Sequence, residues 1–206
     1  MLTTTGPLKA VLWDFDGVLN RNVAGGQFLW TTDFEADFAR PLDDFNRSVF
    51  RDPLPLLRGE ADIADRIADW IAEAGVETTP EAVIDYWLSR DFQPDRQVLA
   101  LVERLRAKGV AQAILTNCDR RRADWLDTLL PRLGGIDLLF ASARLGAAKP
   151  EARAYLRAAE GLGLSPQSIL FVDDTPANVN AAAGLGFRSF LYSPLAFDAL
   201  KRQLPR

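Results

Sequence analysis

Four short groups of polar residues carry the side chains best suited to chemistry. They are DFDGV at residues 14–18, TN at 116–117, KP at 149–150 and DD at 173–174. Asp14 is a carboxylate at the edge of an apolar run, and such a group is suited to act as a covalent nucleophile on phosphorus. Asp16 is placed to protonate a leaving oxygen and then to deprotonate the water that opens the intermediate.

The second and third groups supply donors for an anion. Thr116 offers a hydroxyl, the backbone N–H of Asn117 is expected to point into the same space, and Lys149 adds a fixed positive charge. Phosphoryl transfer depends mainly on positioning and on charge stabilisation, which these groups can provide. We therefore predict that Thr116, Asn117 and Lys149 bind phosphate and that Thr116 and Lys149 also take part in catalysis.

The carboxylates predict a metal site. Asp14, Asp16 and Asp174, with Asp173 close by, form an oxygen-rich set of the kind that Mg²⁺ prefers. A bound Mg²⁺ would offset the repulsion between these carboxylates and an incoming phosphate. Gly17 would permit a tight turn beside the anion.

The composition excludes several other chemistries. The 206 residues include no histidine and a single cysteine, Cys118, so a Ser-His-Asp triad, a histidine base and a Cys- or His-rich zinc site are ruled out. The net charge of −4 does not favour nucleic acid. We expect no signal peptide in the first ten residues, no membrane association and a cytoplasmic location.

Alternating strands and helices are expected to position these groups. Strands are predicted at residues 9–14, 110–116, 136–142, 168–173 and 187–192, with helices at 95–108, 119–130, 150–162 and 175–183. Near-continuous apolar strands in such an order predict an α/β fold with a parallel sheet. The carboxyl ends of parallel strands share one edge, so the four groups should meet there, with Lys149 at the start of a helix.

Residues 20–94 break this pattern. Helices are predicted at 32–39, 42–50, 60–75 and 80–89, and no clear strand is expected among them. We therefore predict a core domain from residues 1–19 and 95–206, and a helical cap domain, residues 20–94, inserted after the first strand.

In these features the sequence resembles the haloacid dehalogenase superfamily. The resemblance is carried by WDFDGVL, ILTN, AKPEA and FVDDTPANV, which occur in the family's order. It implies a Rossmann-like three-layer core, Asp14 as nucleophile and Asp16 as acid and base. It also implies that Mg²⁺ is held by Asp14, the backbone carbonyl of Asp16 and Asp174, with Asp173 assisting. The insertion resembles the family's helical cap of the first type, which selects substrate.

A finer resemblance concerns the tract from residue 59 to 174. It is similar to sugar-phosphate phosphatases, such as α-glucose-1-phosphate phosphatase, and to the N-terminal phosphatase domain of soluble epoxide hydrolase. This implies a phosphatase of small phosphomonoesters such as sugar phosphates. Asn178 stands where many relatives carry an acid, which is expected to loosen the surroundings of the metal.

Some residues have a simpler explanation than a role in the site. Cys118 lacks a second cysteine or a histidine to activate it, and the basic run at residues 120–122 is typical of a solvated helix face, although it could also hold a second anionic group. Within the insertion, packing is expected for Trp30 and Trp87 and exposure for Arg51 and Arg58, although all four could face the substrate.

Three alternatives to a phosphatase remain open. A 2-haloacid dehalogenase shares the fold, but it would need neither Asp16 nor Mg²⁺. A phosphosugar mutase would use the same residues, and a non-catalytic regulatory module would use none. We expect a small phosphorylated metabolite as the partner, and a monomer or homodimer as the assembly.

Overall fold

A computed structural model describes residues 6–205, so Arg206 and the first five residues of the stretch expected to lack a signal peptide lie outside it. The strands are β1 (Ala10–Trp13), β2 (Val23–Ala24), β3 (Gln27–Phe28), β4 (Ala111–Thr116), β5 (Leu138–Ala141), β6 (Ile169–Asp173) and β7 (Arg188–Leu191). The α-helices are α1 (Phe34–Phe38), α2 (Leu42–Val49), α3 (Leu54–Leu57), α4 (Ile63–Ala74), α5 (Pro80–Asp91), α6 (Arg96–Ala107), α7 (Arg120–Leu129), α8 (Ser142–Leu145), α9 (Ala152–Leu162), α10 (Pro176–Gly184) and α11 (Phe197–Gln203).

Five strands form a parallel sheet in the order β5-β4-β1-β6-β7. The strand β1 is central, and Trp13 pairs with Ile114 on one side and with Val172 on the other. The backbone N–H of Asp14 donates to the carbonyl of Val172 at 2.8 Å, which extends this pairing by one residue. The register therefore sets Asp14 beside Asp173 at the carboxyl edge.

Apolar layers cover both faces of the sheet. Side chains of α6, α7 and α11 pack on one face, and side chains of α9 and α10 pack on the other. Burial of both faces explains why β1 and β6 are fully buried along their whole length. The predicted α/β fold with a parallel sheet is confirmed.

The insertion has a core of its own. It is built from aromatic side chains, among which Phe45 and Trp70 meet edge to face with ring centroids 5.0 Å apart. Its longest helices are well capped: Asp62 caps the start of α4, and Gly75 ends it in the left-handed region. The division into core and cap domains remains a prediction.

Two expectations about local structure were wrong. The insertion does contain strands, because β2 and β3 form a hairpin whose turn, Gly25-Gly26, has φ of 59° and 81°, which glycine adopts without strain. Lys149 does not open the helix after the third strand of the sheet. The short α8 follows β5 directly, and α9 begins only at Ala152. The helices α3, α8 and α11 were not predicted.

Among residues 6–205 the longest helices have 12 residues, and none is long and apolar enough to cross a membrane.

Candidate active site

The carboxyl edge of the sheet brings most of the predicted residues together. Lys149 is the centre of the group: its Nζ lies 2.8 Å from Asp14 Oδ1 and 2.6 Å from Asp173 Oδ2. Asp174 adjoins Asp173, and Thr116 ends β4 with 1% of its surface exposed. A cleft of about 260 Å³ is lined by Asp14, Thr116, Asn117, Lys149 and Asp174, whereas Asp173 is fully buried. The sequence therefore correctly predicted which groups meet here.

Asn117 holds the backbone of Lys149 with its side chain. The amide Nδ2 of Asn117 donates to the Lys149 carbonyl, and the Lys149 N–H donates to Asn117 Oδ1, both at 2.8 Å. This pair of hydrogen bonds fixes the loop that carries the ammonium group. The predicted use of the Asn117 backbone N–H as a phosphate donor remains a prediction.

Asp173 is fully buried and its oxygens have several donors. Besides Lys149, they accept hydrogen bonds from the Thr175 N–H at 2.8 Å and from Asn178 Nδ2 at 3.1 Å to each oxygen. The amide of Asn178 thus binds the carboxylate that orients Lys149, and the expected loosening around a metal remains a prediction. Asp173 is better placed to position Lys149 than to bind an ion alone.

The carboxylates of Asp14, Asp173 and Asp174 suit a hard cation. One oxygen from each lies within 4.8 Å of the others. Burial raises the pKa of Asp174, and the nearby Asp173 raises it further. Three ionised carboxylates would exceed the single positive charge of Lys149, and a bound cation would offset that excess. Gly17 makes room for this arrangement, since a Cβ there would lie 2.1 Å from Asp174 Oδ2. The residues fit Mg²⁺, which prefers carboxylate oxygens.

Burial dominates the electrostatics of Asp14. It raises the pKa of this carboxyl well above its usual value; Lys149 opposes the rise and Asp173 adds to it. The backbone N–H of Phe15 donates to Asp14 Oδ1 at 2.7 Å. Additional positive charge beside Asp14 would hold it as the carboxylate that nucleophilic attack requires.

Asp16 belongs to a second charged cluster. Arg122 binds it with both ends of the guanidinium, from Nη1 to Oδ2 and from Nη2 to Oδ1, each at 2.6 Å. Arg122 Nη2 also lies 2.5 Å from Asp91 Oδ2. Arg122 is only 4% exposed, so the expectation of a fully solvated basic run was wrong at this residue. The reason is its place on α7, three residues after the cap Asp119, on the side that faces the core.

Three further residues of this cluster were not found from the sequence. Asn22 donates from Nδ2 to Asp16 Oδ1 and to Asp91 Oδ1, both at 2.8 Å, and Asn20 donates to the Asp91 carbonyl at 2.8 Å. Burial alone would raise the pKa of Asp16, but the charge and hydrogen bonds of Arg122, with that of Asn22, hold it below its usual value. The sequence signal that could have revealed them is their position: these polar residues lie where the chain enters and leaves the insertion.

A larger cavity of about 420 Å³ lies between the insertion and the core. Trp30 and Trp87 line it while also packing in the core of the insertion. Arg58 pairs instead with Glu151 of the core at 3.0 Å, and Arg51 is exposed and lines neither the cavity nor the cleft. Cys118 is buried, and burial raises the pKa of its thiol, which suits the inert role expected for it.

Comparison with known proteins identifies the family of the chain. Residues 8–186 match the model of the haloacid dehalogenase-like hydrolase family. The chain is 30% identical to Phosphatase MT3486 of Mycobacterium tuberculosis, over 89% of this chain and 87% of that protein.

Solved structures share the fold. The HAD family enzyme BT-2542 of Bacteroides thetaiotaomicron, in complex with magnesium and inorganic phosphate, matches with a TM-score of 0.71 and 20% identity, covering 91% of this chain and 94% of that one. The L-2-haloacid dehalogenase PA0810 matches with a TM-score of 0.64 and 19% identity, covering 91% and 87%. The matched residues include all four motif groups, and the chain belongs to the haloacid dehalogenase-like hydrolase family.

Proposed function

We propose that this hydrolase is a Mg²⁺-dependent phosphatase of small phosphomonoesters that works through an aspartyl-phosphate on Asp14. The observation that carries the proposal is the cluster at the sheet edge. Lys149 lies between Asp14 and Asp173, and Asp174 completes a set of three carboxylates within 4.8 Å. A relative named as a phosphatase and a similar fold solved with magnesium and phosphate support it.

The first step would transfer the phosphoryl group to the protein. An oxygen of Asp14 attacks phosphorus, the bond from phosphorus to the ester oxygen breaks, and Asp16 gives a proton to the leaving alcohol. Lys149 and Thr116 hold the phosphoryl oxygens. Asp14, Asp174 and the Asp16 backbone carbonyl would hold Mg²⁺, which supplies charge neutralisation at the phosphate.

The second step would regenerate the carboxylate. Water attacks phosphorus, the bond to the Asp14 oxygen breaks, and Asp16 takes the proton from the water. Asp16 is suited to this step as it stands, because Arg122 keeps it ionised. For the first step we propose that the Asp16 carboxyl turns from Arg122 toward the leaving oxygen, since a proton donor must first hold a proton.

The insertion would act as the cap that covers the cleft. The remaining parts of the proposal are a small phosphorylated metabolite as substrate, no nucleic acid or membrane partner, a cytoplasmic location and a monomer or homodimer.

Product release with and without metal tests the proposal. Phosphate release from a panel of phosphomonoesters is expected with Mg²⁺ and not with EDTA, and a mass increase on the peptide containing Asp14 is expected after rapid acid quench. Halide release from a 2-haloacid in EDTA would replace the proposal with a dehalogenase. An isomeric phosphosugar as the main product would replace it with a mutase, and no turnover across the panel would favour a non-catalytic module.

A further inference from the structure

The cavity of about 420 Å³ shares residues with the smaller cleft that contains Asp14 and Lys149. Asp16, Phe28 and Asn117 line both. A phosphoryl group placed at Asp14 would therefore direct its ester oxygen past Asp16, and the rest of the substrate would enter the larger cavity. The walls of this cavity decide which leaving groups fit.

The insertion side of those walls is mainly apolar. The insertion contributes seven large apolar side chains: Phe28, Trp30, Leu42, Phe50, Leu56, Leu57 and Trp87. Trp30, Leu56 and Trp87 are buried, whereas the polar lining residues Gln27, Asp43 and Asn46 are exposed to solvent. On the core side the buried charged lining residues are Asp119, which caps α7, and Arg122, which is paired with Asp16 and Asp91. A leaving group inside therefore meets carbon along the buried insertion side and already engaged polar groups along the core side.

The charges around the cavity disfavour a second anion. Asp16, Asp43 and Asp119 are carboxylates, and Arg122 is the one cation among the described lining residues. Its guanidinium is already bound to Asp16 and Asp91. A carboxylate or second phosphate on the substrate would thus meet negative charge without a free partner.

We infer that the leaving group of the substrate is uncharged and mainly apolar, such as an alkyl or aryl alcohol, and not a sugar or a second anionic group. The inference rests on the proposed phosphatase function, and it replaces the sugar phosphate suggested by resemblance with a different substrate class. A hydroxyl buried against these walls would lose its hydrogen bonds to water. Each buried methylene, in contrast, raises the binding affinity about fourfold.

A matched pair of substrates tests the inference on the unmodified protein. Cyclohexylmethyl phosphate and glucose 6-phosphate both carry a primary phosphate ester on a six-membered ring, and they differ mainly in hydroxyls. We expect kcat/KM with Mg²⁺ to be about 100-fold higher for cyclohexylmethyl phosphate. Benzyl phosphate is likewise expected to exceed 4-carboxybenzyl phosphate by about tenfold or more.

Two leucines of α3 provide a matched pair of variants. Leu57 is half-buried and lines the cavity, whereas Leu54 is 44% exposed and does not. Leu57→Gln is expected to reduce the preference for cyclohexylmethyl phosphate over glucose 6-phosphate about tenfold, and Leu54→Gln to leave it unchanged. Thermal unfolding of both variants verifies that they are folded.

The outcomes separate this inference from the function on which it rests. Equal or better turnover of glucose 6-phosphate or 4-carboxybenzyl phosphate overturns the substrate class and leaves the phosphatase standing. An equal change of preference in both leucine variants removes the cavity as its cause. Absence of phosphate release from all four esters overturns the phosphatase function itself.

Discussion

Two buried cations, Lys149 and Arg122, each lie between two aspartates, yet their clusters differ in how completely the charges are satisfied. Lys149 contacts Asp14 and Asp173 through one nitrogen, and Asp174 adds a third carboxylate nearby. Arg122 donates two parallel hydrogen bonds to Asp16 and also binds Asp91. The first cluster sets three carboxylates against one ammonium, while in the second every oxygen of the Asp16 and Asp91 carboxylates accepts a hydrogen bond.

This difference explains how two aspartates on one loop acquire different properties. The pKa of Asp14 is raised, mainly by burial, and that of Asp16 is lowered, because the planar fork of an arginine matches a carboxylate better than an ammonium does. Asn22 adds a further donor to Asp16. The partners, and not the residue type, therefore suit Asp14 to bind a metal ion and keep Asp16 ionised through Arg122.

The largest expected effect comes from Asp14→Asn, which removes the proposed nucleophile from the Lys149 cluster. Phosphatase activity should fall about 10⁴-fold or more, because the covalent step cannot form. Stability should change little, since a buried carboxyl with a raised pKa is replaced by a neutral group of the same shape. Activity assays and denaturant unfolding measure the two, and retention of a few per cent of activity contradicts the role of Asp14.

Withdrawal of the metal has the next largest expected effect on activity. With EDTA we expect activity to fall at least about 100-fold and to return with Mg²⁺, because the excess charge around Asp14 and Asp174 then lacks a counter-ion. Asp174→Asn should raise the Mg²⁺ concentration needed for half-maximal activity. Asp44→Asn serves as control, because Asp44 is a half-buried acid of the insertion that lines neither the cavity nor the cleft. Full activity in EDTA would show that the Lys149 cluster needs no metal ion.

The two cations themselves provide a direct comparison. Arg122→Met leaves Asp16 and Asp91 without a cation in a buried place, at an expected cost of about 3–5 kcal/mol in the free energy of unfolding. Lys149→Met should also destabilise, but we expect added Mg²⁺ to recover part of that loss and none of the loss in Arg122→Met. Denaturant unfolding with and without Mg²⁺ measures both.

The control for Arg122 is its neighbour on the same helix. Arg121 forms an exposed pair with Asp62 at 3.0 Å, with 42% of each side chain accessible. Arg121→Met should therefore cost no more than about 1 kcal/mol. Equal losses in the two arginine variants would mean that the buried network adds no stability of its own.

The contrast between the clusters also shows what the sequence can reveal. Asp14, Thr116 and Asp173 lie at strand ends, so the order of apolar strands and the rule for parallel sheets were enough to bring these three together. Lys149 reaches the same edge from the loop between α8 and α9. The Arg122 cluster joins the core helix α7 to the two segments where the chain enters and leaves the insertion. Its pairing depends on how the helices pack, and no local periodicity encodes the contact between Arg122 and Asp91.

The same limit applies to finer details. The hairpin of β2 and β3 was missed because its strands have only two residues, although Gly25-Gly26 was a turn signal. The cavity was missed because aromatic residues such as Trp30 and Trp87 predict packing equally well, and here they both pack and line a cavity. Only the three-dimensional structure distinguishes an aromatic residue that packs in a core from one that also lines a cavity.

Among variants of the two clusters, the smallest expected effect belongs to Asp91→Asn, which tests how far the second cluster depends on each of its members. Asp91 is fully buried and accepts from Arg122 and Asn22, but Arg122 would keep both bonds to Asp16 in its absence. We expect a loss of about 1.5–3 kcal/mol in the free energy of unfolding, the usual value of a hydrogen bond to a charged group. If Asp91 positions Asp16 through Arg122, kcat should fall severalfold while KM stays constant, whereas a purely structural role would leave both unchanged in the folded protein. A change in KM alone would place Asp91 in substrate binding and break the separation between the two clusters.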